Sequence, residues 1–340
     1  MEKVYCTLFD KHYLDKGLVM IRSLREYNRS SAIYVLCMDE FCFDVISDQS
    51  FEKVVCISLN DFMDDTFRVL KQQRSIGEFC WTCTSRLVKY IFDVFKPDYC
   101  TYIDCDLLFF ADPDELVDEM IGKHKEVQVI PHRFPNSRFW KNVERQSGKN
   151  CVQFNTFSSG EKSIRLLEKW IEQCIGECSV NSCGDQKYTS DWGKYDFVYE
   201  SVNEGAGLAP WNLINYRLDN DLELYVLNRS NNKRFKMYFY HFQGIEYESR
   251  YKADIMLRHR IEFYDDKLVR HLYIPYLIKI EKAKDLLEKE YGFCPVYSHG
   301  TRLLSKDSNM NMSSRIRRFA KMINHYPYRI KDVIDIRKYI

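Results

Sequence analysis

The first half of the chain alternates two hydrophobic rhythms, and that alternation restricts the fold more than any other feature. "VYCTLF" (4–9), "AIYVLCM" (32–38), "KVVCISL" (53–59) and "VQVIPH" (127–132) are short, β-branched, apolar runs of strand length. Between them, "KGLVMIRSLREYN" carries Leu18, Ile21, Leu24 and Tyr27 at helical spacing. "TSRLVKYIFDVFKPD" puts Leu87, Tyr90, Ile91 and Val94 on one face and stops at Pro97. Strand–helix–strand order of this kind predicts an α/β protein whose sheet is flanked by helices on both faces. Ligands in such sheets sit beyond the carboxyl ends of the strands.

The second half is less regular. "CVQFNTFSSG" reads as a strand, and "EKSIRLLEKWIEQCIG" as a helix with Ile164, Leu167, Trp170 or Ile171, and Cys174 inward and Gly176 as its stop. "CGDQKYTSDW", the turn-rich "NEGAGLAPWN" and the strand-like "KMYFYHFQG" follow, and from about residue 260 the pattern is helical and charged, ending in a basic tail. The expected division is a catalytic domain over 1–258 and a C-terminal helical, basic extension over 259–340.

One apolar run breaks its own rule. "YCTYIDCDLLFFADPDEL" (99–116) reads as a central strand, yet it holds Asp104 and Asp106 where the strand leaves the sheet. Strand side chains alternate, so the two carboxylates point the same way if extended geometry persists. Two like charges on one side repel unless a cation lies between them, and a divalent ion with oxygen ligands, Mg²⁺ or Mn²⁺, supplies that compensation. The ordinary alternative is a pair of solvated turn residues or helix caps.

The surroundings carry a resemblance. "YIDCDLLFFADPDEL" resembles the D-x-D segment of GT-A glycosyltransferases, in particular the retaining, family-8-like nucleotide-diphospho-sugar transferases of bacterial polysaccharide type. In the same order, "YCTLFDKHYLDKGLVMIRSL" is similar to that group's first strand and nucleotide-contact helix, and "CWTCTSRLVKYIF" to the helix before its metal strand. "FNTFSSGEKSIRLLEKW" resembles its sugar-pocket strand, "CGDQKYTSDW" its Asp-Gln motif, "LAPWNLINY" its Pro-x-x-Asn stretch and "HFQG" the start of its late H-x-x-G motif. The resemblance spans roughly residues 3–250 and implies a GT-A, Rossmann-like, mixed but mainly parallel sheet. It departs after His241, because the Lys-Pro pair that meets the phosphate in the group is replaced by "IEYES"; Arg250 or Lys252 stands nearby in sequence.

What the resemblance implies is a metal-dependent hexosyltransferase acting on a nucleotide-diphosphate sugar, with UDP the expected nucleotide, and on a saccharide or glycolipid acceptor. Asp104, Asp106 and His241 would hold Mn²⁺ or Mg²⁺, with Asp104 also at the donor. Thr7, Phe9 and Tyr13 would line the nucleotide pocket, Arg86 would add a cation and Asn155 would bind sugar hydroxyls. Asp185 would bind the donor sugar and Gln186 would lie near the anomeric carbon. Retention without a strong nucleophile implies front-face displacement. Each residue has a plain structural alternative: a core ring for Phe9, a solvated helix arginine for Arg86, a turn residue for Asn155, a helix cap for Asp185, and a histidine bonded to backbone for His241. The competing functions are a catalytically inactive GT-A-like binding module and a sugar-nucleotide pyrophosphorylase, whose N-terminal Gly-rich loop is missing here, since only Gly17 stands in that region.

Composition sets the remaining bounds. A formal charge of +1 over 340 residues gives no reason to expect nucleic acid as a partner. The start "MEKVYCTLFDKHYLDKG" lacks a basic-then-apolar leader pattern, and thirteen cysteines scattered through apolar runs suggest free thiols in a reducing cytoplasm. The C-X-X-C pair Cys80 and Cys83 lacks a second pair at zinc spacing. In the tail, "RIRRFAKMI" sets Ile316, Phe319, Met322 and Ile323 on one helical side among Arg315, Arg317, Arg318 and Lys321. Residues 315–340 are therefore expected either to meet an anionic membrane surface, making the enzyme peripheral on its cytoplasmic face, or to pack as an ordinary helix with a solvated basic face.

Overall fold

The computed structural model describes residues 1–219, 225–255, 257, 265–295 and 333–340. In the first half, β1 (Lys3–Phe9), α1 (Leu14–Tyr27), β2 (Ala32–Cys37), α2 (Glu40–Asp48) and β3 (Val54–Ser58) form two successive strand–helix–strand steps of a parallel sheet. Two short helices, α3 (Leu59–Phe62) and α4 (Asp65–Gln73), then lead into α5 (Ile76–Phe95), which returns the chain to β4 (Tyr99–Ile103) on the far side of β1. Ser75 and Glu78 start α5 with a reciprocal capping box, and left-handed Lys96 before Pro97 ends it. Because α1 leads one way from β1 and α5 brings the chain back on the other, the crevice beyond β1 and β4 is a topological switch point.

After the short strand β5 (Leu107–Phe109) come α6 (Asp114–Gly122), β6 (Val127–Pro131), α7 (Arg138–Ser147), β7 (Asn150–Ser158), α8 (Glu161–Gly176) and β8 (Val198–Glu200). The central sheet has the order β3–β2–β1–β4–β7–β6–β8. Only β7 opposes its neighbours, being antiparallel to β4 and β6, whereas β6 and β8 run parallel. The sheet is thus mixed and mainly parallel, as the alternation of strands and helices predicts. One face is closed by α1, α2 and α6 over Tyr5, Ile33, Val35, Ile103 and Phe154. The other is closed by α3, α4, α5 and α8 over Val4, Leu36, Cys100, Tyr102 and Phe157. All thirteen cysteines lie among the described residues, and none of them forms a disulfide.

The remaining elements lie outside the central sheet. β9 (Tyr216–Leu218), β10 (Tyr225–Asn228) and β11 (Arg234–Lys236) form a small antiparallel sheet, and β12 (Phe239–His241) pairs with β5. β13 (Glu246–Ser249) and β14 (Lys252–Asp254) are joined by β15 (Val333–Asp335), so the end of the chain pairs with a strand of the 1–258 region. α9 (Asp266–Tyr291) packs along α1, where buried Lys284 lies 3.8 Å from Asp15 and 3.3 Å from Glu281. Residues 315–332, which contain the basic amphipathic stretch, lie outside the described residues. No helix among those described is long and apolar enough to cross a membrane.

Two local expectations need correcting. Glu177 in extended conformation, rather than a left-handed glycine, terminates α8, with Gly176 as its last helical residue. Asp104–Asp106 is a turn rather than a continuation of β4, and it is the turn that gathers the two carboxylates.

Candidate active site

The site begins where β4 stops. Asp104, Cys105 and Asp106 turn the chain out of the sheet and into β5, which pairs antiparallel with β12 so that His241 stands opposite Leu107. The Phe242 amide donates to the Asp106 carbonyl at 3.0 Å, locking the two segments in register. As a result, one ligand atom each from Asp104, Asp106 and His241 lie within 4.8 Å of one another. His241 Nε2 is 3.0 Å from Asp106 Oδ1 and 3.8 Å from Asp104 Oδ2. The imidazole is 6% exposed, while the Asp104 and Asp106 side chains are 29% and 15% exposed, so the carboxylates open towards solvent. The Tyr102 hydroxyl donates to Asp104 Oδ1 at 3.0 Å.

Charge balance decides how these three groups coexist. Two unit charges some 4–5 Å apart repel by roughly 3–4 kcal/mol at an effective dielectric of about 20. Burial pushes the Asp104 carboxyl up to about 6, with His241 pulling it down and Asp106 adding to the rise. Burial alone would also raise Asp106, but the charge and hydrogen bond of His241 outweigh it and hold that carboxyl below its usual range. The imidazole feels the reverse: burial works against its charged form, yet Asp106 keeps a proton on it well above the ordinary histidine range. A proton on His241 therefore offsets part of the charge on the two acids. Two carboxylate oxygens and an imidazole nitrogen at this spacing could also hold a divalent cation.

The other residues singled out by sequence divide into groups. Asn155 lies on β7 opposite Tyr102, fully buried, and among the described residues neither of its amide atoms has a hydrogen-bond partner. Thr7, buried on β1, likewise has an unpartnered hydroxyl. Asp185 is buried, and burial, with Cys178 and Asp104 adding to it, holds its carboxyl well above the usual carboxylate range. The Gln186 amide donates to the Ser147 carbonyl at 2.6 Å, which ties it to the end of α7. Phe9 is a core residue pressed against Gly17 of α1, where a side chain would collide with its ring. Tyr13 is partly exposed with the Lys16 ammonium 4.2 Å from its ring centre. Arg86 reaches Asp64 at 3.6 Å and Phe67 from the middle of α5.

Three features of the site escape sequence reasoning. Gln153 accepts from His241 Nδ1 at 2.8 Å. Lys16 feels Asp106: burial alone would lower its ammonium, but Asp15 in the main, with Asp106 contributing, holds it above its ordinary value. An aromatic ladder leads away from His241 through Trp211 at 5.4 Å, His132 at 5.2 Å beyond it, and Phe134 stacked on His132 at 4.6 Å. Burial pushes His132 down to about 4, so its ring is neutral. None of these has a local signal; they meet only when β7, β12 and the β6–α7 loop converge. Arg250 and Lys252 are engaged elsewhere: Arg250 pairs with Glu281, Asp285 and Glu288 on α9, and Lys252 stands across from Asp335 of β15.

No family model matches the chain. Two proteins of Bacillus subtilis (strain 168) are similar along most of their length, both described as uncharacterized. YfnD is 24% identical over 308 residues, covering 86% of this chain and 95% of YfnD. YfnF is 25% identical over 305 residues, covering 86% of this chain and 97% of YfnF. Among solved structures, the galactosyltransferase LgtC in complex with donor and acceptor sugar analogs superposes with a TM-score of 0.51 at 12% identity, covering 88% of this chain and 98% of LgtC. Together with the strand order and the single opposed strand, that likeness establishes the fold: the chain is an α/β protein of the GT-A type.

Proposed function

We propose that this chain is a glycosyltransferase that moves a hexose from a nucleotide-diphosphate sugar, with UDP as the nucleotide, to a saccharide or glycolipid acceptor with retention of configuration. The observation that carries the reading is the convergence of Asp104, Asp106 and His241 at the carboxyl end of β4, beside the switch point of a GT-A sheet. Cleaving the bond from the anomeric carbon to the diphosphate builds negative charge on the leaving group, and a divalent cation held by these three residues would stabilise that charge without a proton transfer.

The chain's own residues supply the rest. Lys16 adds a fixed positive charge on the Asp106 side, the role left open by the missing Lys-Pro pair. Asn155 and Thr7 offer buried polar atoms that cost roughly 1–3 kcal/mol each if left unpaired, which sugar and ribose hydroxyls would satisfy. Burial biases Asp185 towards its protonated form, in which it would both donate to and accept from a donor hydroxyl. Gln186 is held by Ser147, which suits a residue that steadies the anomeric centre rather than one that attacks it. Front-face displacement follows, with the departing phosphate taking the acceptor proton. Tyr13 is exposed enough for its ring to stack on the base, while core Phe9 would support the pocket from within; Arg86, paired with Asp64, would add a cation to the donor. The basic residues of 315–323 would attract the anionic surface that carries a glycolipid acceptor.

The test is thermal unfolding with UDP, with Mn²⁺ and with both. The reading expects joint stabilisation larger than either alone, because ligands that bind only the folded state raise its melting temperature. A melting temperature that ignores UDP and Mn²⁺ together would leave the fold without this activity.

A further inference from the structure

His241 has two ring nitrogens, and only one faces the acids. Nε2 lies 3.0 Å from Asp106 Oδ1, while Nδ1 lies 2.8 Å from Gln153 Oε1. Gln153 is fully buried, on β7. Its backbone is engaged at the same place, since the Asp104 amide donates to the Gln153 carbonyl at 3.0 Å. One residue thus holds the first acid through its main chain and the histidine through its side chain. Its other amide atom, Nε2, has no hydrogen-bond partner among the described residues, so the contact to His241 is what its side chain does.

We infer that Gln153 is the positioning residue of the metal site, fixing His241 in the tautomer that leaves Nε2 free to bind the ion. An amide oxygen can only accept, so it requires a proton on Nδ1 and directs the lone pair of Nε2 towards Asp104 and Asp106. Outer partners of this kind orient ligating histidines, and their loss typically weakens metal binding about 10–100-fold. A neutral amide has a further consequence: it sets the tautomer without adding a third negative charge to a site that already has two carboxylates. The ion's field is then left for the diphosphate. This inference rests on the metal reading of Asp104, Asp106 and His241.

The experiment titrates Mn²⁺ into the metal-free full chain, follows the free-ion electron paramagnetic resonance signal, and measures nitrogen hyperfine coupling on the bound ion. Gln153→Met keeps the length but removes the acceptor; Gln153→Glu keeps an acceptor oxygen. The expected result is a bound-nitrogen coupling in the wild type, a Gln153→Met affinity about 10–100-fold weaker with that coupling lost or altered, and recovery of both in Gln153→Glu. Wild-type affinity and coupling in a folded Gln153→Met overturn the inference and leave the metal reading intact. If Gln153→Met does not fold, Gln153→Glu decides: nitrogen coupling retained supports the role, and coupling lost as in His241→Ala overturns it. A wild-type chain that binds no Mn²⁺ overturns the metal reading and this inference with it.

Discussion

His241 Nε2 lies 3.0 Å from Asp106 Oδ1, although the two residues belong to separate halves of the chain. The contact exists because β12 runs antiparallel beside β5, and it puts an imidazolium where a divalent ion would sit. The nitrogen that donates to Asp106 is the one that would coordinate an ion. On the proposed reading, metal and proton would therefore compete for a single lone pair.

That competition fixes the sign of a pH dependence. His241 keeps its proton to higher pH than an ordinary histidine, and Asp104 is pushed up to about 6. Bound protons must leave before the ion binds, so Mn²⁺ affinity should rise with pH and level off only above the raised His241 value. Calorimetry in buffers of different ionisation enthalpy should record about one proton released per ion between pH ~6 and the raised His241 value, more below that window as Asp104 contributes, and none above it. An affinity that falls as pH rises would contradict the assignment.

Gln186 and Asn155 should separate kinetically. Gln186→Ala is expected to lower kcat roughly 100–1,000-fold with little change in donor KM, the scale of one lost electrostatic contact in a transition state. Asn155→Ala should instead raise donor KM roughly 3–10-fold, the worth of one neutral hydrogen bond. Equal kcat values for wild type and Gln186→Ala would remove Gln186 from the reacting centre.

The contrast between these residues shows what a sequence can carry. The strands and helices that hold Asp104 were legible because apolar periodicity is a local property, and the two acids stood out because they interrupt it. The turn at Asp104–Asp106 was not, since a strand and its exit read alike until the pairing partner is known. Gln153 gives no signal of its own: it is one of several polar residues in a buried strand and becomes meaningful only when β12 brings His241 to it. Lys16 is hidden the same way, as a helix lysine whose ammonium is held above its ordinary value chiefly by Asp15, with a smaller contribution from Asp106. Arg250 misled by proximity in sequence, since three carboxylates of α9 claim it.

The α9–α1 contact yields a stability prediction. Lys284 is buried between Asp15 and Glu281, with its ammonium 3.6 Å from the Tyr247 ring centre. Lys284→Met would leave two acids buried without that cation, a change that costs about 3–5 kcal/mol when one partner of a buried ion pair is lost. Denaturant unfolding should show the midpoint fall accordingly. An unchanged midpoint would mean that α9 adds little to the stability of the domain.

The most direct measurement is release of UDP from UDP-sugars by the purified chain without acceptor, with Mn²⁺ and in excess EDTA, beside Asp106→Asn. Slow hydrolysis of one donor that needs Mn²⁺, stops in EDTA and is absent from Asp106→Asn is the predicted result. Hydrolysis that continues at the full rate in EDTA, or that survives in Asp106→Asn, would contradict the central claim that Asp104, Asp106 and His241 hold the ion on which the reaction depends.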